Sequence, residues 1–313
     1  MRANTDWFQQ AGWGVFTHYL AAAETSAEAW QAQVDAFDVE RLADQLATAG
    51  APYYFITIGQ NSGHYCAPNA TYDALVGRAP SRLARRDLVA DLAGALAPRG
   101  IRLLVYLPSG APSMDEVAME RLEWRWGFAK PWPSHGGPET GERLAAFQER
   151  WEAVIREWSL RWGRKVWGWW FDGCYFADAM YRRPEPPNFA SFAAAAKAGN
   201  PDSLMAFNPG VKVPVICHSE YEDYTAGEIS TAFPVCPGRW LDGAQYHLLG
   251  YLGQNWCRGG PRFPDAFVAG YTQHVRERGG VITWDVPITP EGRIPEAFVA
   301  QLGRLAQGSS SSS

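Results

Sequence analysis

Cysteine is scarce in this chain, with five among 313 residues, at positions 66, 174, 217, 236 and 257. An odd number, widely spaced and without a C-x-x-C pair, excludes a disulfide scaffold and a dithiol redox centre. No apolar run reaches the ~18 residues needed to span a bilayer. The opening Met1-Arg2-Ala3-Asn4-Thr5-Asp6-Trp7 has no apolar signal core, so a cytoplasmic chain with reduced thiols is expected. Positive charge is not in excess. Lys and Arg total 28 against 33 Asp and Glu, for a net charge of −5, which gives no electrostatic case for nucleic acid or an anionic membrane as partner. The six histidines never fall at H-x-H or H-E-x-x-H spacing, so a metal hydrolase is not supported. G-x-S-x-G is missing, and with it the usual signal for a nucleophilic serine. No glycine-rich phosphate loop follows the first strand-like segment, which weighs against a doubly wound nucleotide-binding sheet. No metal or cofactor is expected.

What the chain does have is apolar and aromatic residues. They make up 47% and 14% of it, with 15 tryptophans, while only 19% is charged. That supplies a core and argues against disorder. Strand-like runs at 14–20, 53–58, 101–107, 165–171, 204–208, 213–224, 246–252 and 280–285 alternate with helix-like segments. The clearest helices run from Asp38 to Gly50, Asp87 to Ala97, 142–162, 189–198, 265–278 and 294–306. Asp38 is placed to cap the first of these, with Leu42, Leu46 and Ala49 on one face and Gly50 as its stop. About eight strand–helix units without an internal repeat predict a single-domain (β/α)8-type TIM-like barrel over 1–306. A Gly/Ser tail at 307–313 is excluded from the fold.

In such a barrel the site is built where strands end. The stretch Lys165-Val166-Trp167-Gly168-Trp169-Trp170-Phe171-Asp172-Gly173 is the most informative: an apolar strand that stops on a carboxylate. A buried acid is costly, so Asp172 is expected to face a cavity or a partner. His18, Gln60, Asn61, His64, Asn208, Glu220, Glu222, Asp223, Glu228, Trp256, Trp284 and Asp285 fall at or just after the other strand ends, and Tyr106 lies near the end of the third. Aromatic rings stack on sugar C–H faces while acids act on the glycosidic bond. This set therefore reads best as a carbohydrate site with two carboxylates. Asp172 would attack the anomeric carbon, and an acid of raised pKa across the gap would protonate the leaving oxygen.

Several stretches resemble one family, the α-L-fucosidases of glycoside hydrolase family 29. Trp7-Phe8-Gln9-Gln10-Ala11-Gly12-Trp13-Gly14-Val15-Phe16-Thr17-His18-Tyr19 is similar to that family's opening W-F-x-x-A-K-F-G-x-F-x-H-W. Arg86-Asp87-Leu88-Val89 resembles its R-D-L-V helix start, and Gly100 to Tyr106 its G-L-x-x-G-x-Y strand. Trp170-Phe171-Asp172-Gly173 matches W-F-D-G, and Gly279-Gly280-Val281 through Gly292-Arg293-Ile294 resembles the family's ending. The resemblance runs over about residues 7 to 300 and implies a retaining exo-glycosidase that works through a covalent glycosyl-Asp172 intermediate. It also implies sugar contacts from His18, Gln60, Asn61, His64, Tyr106, Trp170, Asn208, Trp256 and Trp284. The segment from Asp223 to Glu228 resembles the family's D-[FY]-x-T-x-E, which favours Glu228 as acid/base over its rivals Glu222 and Glu220.

Two departures stand out. The family's K-H-H-D-G-F becomes Gly59-Gln60-Asn61-Ser62-Gly63-His64-Tyr65, and its N-D-R segment becomes Phe207-Asn208-Pro209. Amides still donate and accept hydrogen bonds, so a hydroxylated ring can bind, though not necessarily fucose. The alternative is a catalytically inactive carbohydrate-binding barrel. The Trp-rich stretch 108–137, with Trp124, Trp126 and Trp132, either contacts the aglycone or forms an apolar flap. The oligomeric state is left open.

Overall fold

A computed structural model describes residues 2–125 and 143–307. Its strands are β1 (Trp13–Thr17), β2 (Tyr53–Thr57), β3 (Arg102–Pro108), β4 (Val166–Asp172), β5 (Leu204–Phe207), β6 (Trp240–Leu241), β7 (Ala244–Gln245), β8 (His247–Tyr251) and β9 (Val281–Asp285). Seven form one curled parallel sheet, a half-barrel, in the order β5-β4-β3-β2-β1-β9-β8, while β6 and β7 make a small hairpin. The registers bring the C-terminal ends level. Thr57 lies opposite Tyr106, Pro108 opposite Asp172, and Asp285 opposite both Phe16 and Tyr251.

Parallel strands covered on both sides are apolar on both sides. Phe16, Tyr53, Phe55, Leu104, Tyr106, Trp170 and Leu249 pack together on the inner face. Their neighbours Val15, Tyr54, Ile56, Val105, Trp169, Phe171 and Trp284 pack outward with the helices. Gly14 is required where it stands, since a Cβ there would lie 2.1 Å from the Tyr53 ring.

The connecting helices follow the sequence signals. Asp38 accepts from the Arg41 amide and Gly50 closes Val39–Ala49 in the left-handed region. Asp87 caps Leu88–Leu96 in the same way. Helices Ala145–Trp162, Phe189–Ala196, Asp265–Glu277 and Glu296–Gln307 lie within about three residues of their expected bounds. Short helices at Asp6–Ala11, Ala27–Asp35, Ala70–Val76, Glu116–Leu122 and Ala177–Met180 were not expected. The fourth of these lies inside the Trp-rich stretch 108–137, of which residues 126–137, with Trp126 and Trp132, are outside the described residues.

One correction concerns the sixth strand. The expected strand 213–224 forms no ladder over 213–221, because Pro214 supplies no amide donor and Val213 and Ile216 are exposed. Residues 222–229 take that place instead. They bridge in parallel to β8, at Tyr224–Gln245 and Glu228–Leu249, and reach β5 through the Asp223 amide on the Met205 carbonyl. A 2.6 Å ion pair between buried Asp223 and partly exposed Lys197 also holds the segment. Among the described residues, no helix is long and apolar enough to cross a membrane.

Candidate active site

The level strand ends open into a cleft of about 390 Å³. His18, Gln60, Tyr106, Trp170, Asp172, Glu228 and Trp256 line it with Phe16, Leu20, Leu249, Asn255, Cys257 and Arg258. Asp172 reaches it because its side chain shares the inward parity of Trp170, one pleat along β4.

Four donors converge on the Asp172 carboxylate. Tyr106 Oη lies 2.6 Å from Oδ2, while the Gly173 amide at 2.8 Å, Asn208 Nδ2 at 2.8 Å and Tyr175 Oη at 3.4 Å share Oδ1. Gln60 Nε2 in turn donates to the Tyr106 hydroxyl at 2.6 Å. Asn208 Nδ2 also donates to Glu228 Oε2, at 2.7 Å. One amide nitrogen therefore spans two carboxylates, and the two oxygens it touches are no more than about 5.5 Å apart.

Glu228 arrives from the irregular 222–229 segment. Burial, then the negative charge of Asp172, push its carboxyl up to about 7, against smaller opposing effects of the Asn208 hydrogen bond and His18. Near neutral pH it can hold a proton or release it. His18 presents one ring edge to the cleft, and its Nδ1 is 2.8 Å from Asp285 Oδ1. Trp256 and Tyr106 stand edge-on to this ring at 5.8 and 5.7 Å.

Other residues singled out from the sequence lie elsewhere. His64 is buried against Trp30, with Nδ1 3.3 Å from Ser62 Oγ. Burial holds its imidazole down near 4. Asn61 is half-buried beside Gln60, and its carbonyl accepts from the Met114 amide. Trp284 points to the helix layer and donates to Thr272 at 2.9 Å. Asn208 is fully buried behind the two carboxylates. Glu222 is closed off, accepting from the amides of Phe207, His218 and Ser219, and burial lifts it to about 7. Glu220 borders a separate surface groove with Arg182 and Tyr221. Trp124 packs edge-on against Phe147 at 4.6 Å. Tyr175, Cys257 and Arg258 were not anticipated. Tyr175, three residues past Asp172 in a Gly-led turn, is the one the sequence could have flagged.

Among the described residues, no three His, Cys, Asp or Glu side chains gather into a metal-holding cluster. The cleft instead offers two close carboxylates of unlike surroundings, a hydrogen-bonding rim and an aromatic wall. Fold and cleft together define an α/β half-barrel protein with a two-carboxylate pocket at the strand ends.

Neither a protein-family profile nor a curated protein sequence matches the chain. Solved structures do. An endo-fucoidan hydrolase of glycoside hydrolase family 107 superposes with a TM-score of 0.68 at 15% identity, covering 96% of this chain and 92% of that one. The α-L-fucosidase AlfC from Lactobacillus casei, in complex with its α-L-fucose product, gives 0.63 at 16%, covering 97% and 98%. A putative α-L-fucosidase from Bacteroides thetaiotaomicron gives 0.68 at 14%, covering 98% and 68%. The chain has a divergent fucosidase-like fold.

Proposed function

We propose that this chain is a glycoside hydrolase: a retaining exo-enzyme that releases a terminal α-L-fucose or a stereochemically similar sugar. The observation that carries this reading is the shared amide of Asn208, which holds Asp172 and Glu228 close together in one cleft. A separation of ~5–5.5 Å suits double displacement, whereas an inverting pair needs ~6.5–9.5 Å to admit a water. Both the fold likeness and the two-carboxylate chemistry point to the same reaction class.

On this reading the Asp172 carboxylate attacks C1 while Glu228 passes its proton to the glycosidic oxygen, and the C1–O bond breaks to leave a glycosyl-Asp172 ester. Glu228, now ionised, takes a proton from water, which attacks C1 and frees Asp172. His18, Gln60, Tyr106, Trp170 and Trp256 are the proposed sugar contacts within the cleft. Asn208 acts from behind and Asn61 flanks Gln60, whereas His64 and Trp284, which pack away from the cleft, are not among the proposed contacts. Residues 1–306 would form one catalytic unit, a (β/α)8-type barrel with 222–229 as its irregular sixth strand.

The test is covalent trapping. An activated 2-deoxy-2-fluoro-fucosyl donor should add one glycosyl mass to the peptide that holds Asp172. Absence of the adduct together with turnover that survives Asp172→Asn overturns the assignment. Sugar binding by calorimetry with no hydrolysis of any aryl glycoside would mark an inactive binder instead.

A further inference from the structure

Asp285 is a buried carboxylate that the proposed reaction does not use, yet both its oxygens are committed toward the cleft. Oδ1 lies 2.8 Å from His18 Nδ1, and Oδ2 accepts from the Cys257 amide at 2.7 Å. The Asp285 side chain is fully buried and that of His18 only 10% exposed. Cys257 sits at the tip of a tight turn, closed by reciprocal backbone bonds between Asn255 and Arg258, with a positive φ of 51°. The neighbour of Cys257 in that turn is Trp256, whose ring packs 4.7 Å from Tyr251 and 5.8 Å from His18. One carboxylate thus fixes an imidazole and an indole on the same side of the cleft.

The chemistry of the pair sets the proton. A peptide N–H can only donate, so Oδ2 is an acceptor, and an ionised carboxylate only accepts. Nδ1 must then carry the hydrogen. Nε2, on the opposite ring edge of a side chain that lines the cleft, has no hydrogen-bond partner among the described residues and keeps a free lone pair. We infer that Asp285 is a positioning residue that holds His18 in the Nδ1–H tautomer, so that Nε2 accepts a hydrogen bond from a sugar hydroxyl while the same carboxylate anchors the Trp256 turn. The sugar part of this inference rests on the glycosidase reading; the tautomer part does not.

Replacing Asp285 by Asn separates the two roles. The amide oxygen is bound to stay on the Cys257 N–H, so the new NH₂ faces Nδ1, and the proton moves to Nε2. The experiment is ¹⁵N NMR of the full chain labelled at histidine, recorded at pH 8 and assigned with His18→Gln. Wild type should show His18 protonated at Nδ1 only, and Asp285→Asn should show the Nε2–H form. With an aryl fucoside, the same variant should raise KM about tenfold, the worth of one lost acceptor, with kcat changed less than threefold. A wild-type His18 that carries a proton on Nε2, whether as the other tautomer or as imidazolium, overturns the inference. An unchanged KM in Asp285→Asn overturns the sugar-acceptor role. Complete lack of hydrolysis by the wild type would count against the glycosidase reading and leave the tautomer result standing.

Discussion

Replacing Asn208 by leucine removes the amide that joins the two carboxylates while keeping the space closed to water. Asp172 retains three donors, from Tyr106, Gly173 and Tyr175. Glu228 has no other side-chain or backbone donor among the described residues, so the loss falls mainly on it. A hydrogen bond to a charged group is worth ~1.5–3 kcal/mol, so kcat/KM should fall roughly 10- to 100-fold. The pH profile should move as well. The first step needs Glu228 protonated, so activity declines as pH rises through its pKa, near 7 in the wild type. The Asn208 hydrogen bond lowers that value, and without it burial and the Asp172 charge act unopposed from that side. The basic limb should therefore shift to higher pH. Aryl-fucoside hydrolysis from pH 4 to 9, with thermal midpoints to confirm folding, measures both effects. A basic limb that stays in place, with kcat/KM within twofold of wild type, would refute the shared-amide argument.

Asp172→Asn should reduce turnover at least a thousandfold with the fold intact, checked by initial rates and circular dichroism; undiminished activity would relocate the nucleophile. Glu222 is buried and its carboxyl is raised from 4.5 to about 7, so its contribution to stability is full below pH 4.5 and is lost as pH climbs to 7. The swing is about 3 kcal/mol, and Glu222→Gln should lower the urea midpoint but flatten its decline over that window. Gly14→Ala would drive a Cβ into the Tyr53 ring and should cost at least ~1–3 kcal/mol in a denaturation series, the usual penalty for overpacking.

Much of the scaffold could be read from the sequence because its signals were local. The Asp38 cap, the Gly50 stop and the Tyr53–Thr57 run each specify their own element. The sixth strand was misplaced because its pairing is not local. Residues 222–229 are held by β5, β8, Lys197 and the N-terminal arm, where the Ala3 amide lies 2.5 Å from Asp223 Oδ1. No propensity in the segment announces those partners. Short helices such as Ala70–Val76 escaped for a similar reason: their caps, Asn69 here, are one polar residue among many in loop-like sequence.

The site was legible as a set of strand ends but not as a geometry, and the cause lies in the sheet itself. In a half-exposed strand, alternating polarity shows which side chains face inward. Here both faces are buried, so Trp169 and Trp170 look alike in sequence although one meets the helices and the other the cleft. The same ambiguity separates Trp284, which turns outward to Thr272, from Asp285, which turns inward to His18. Counting from Asp172 would have resolved β4, since a carboxylate cannot face the apolar helix layer, and its inward parity makes Trp170 inward too. Applied to β9, the same count makes Asp285 inward and Trp284 outward. In a doubly covered parallel strand, a terminal charged residue is thus a marker of face for every residue before it.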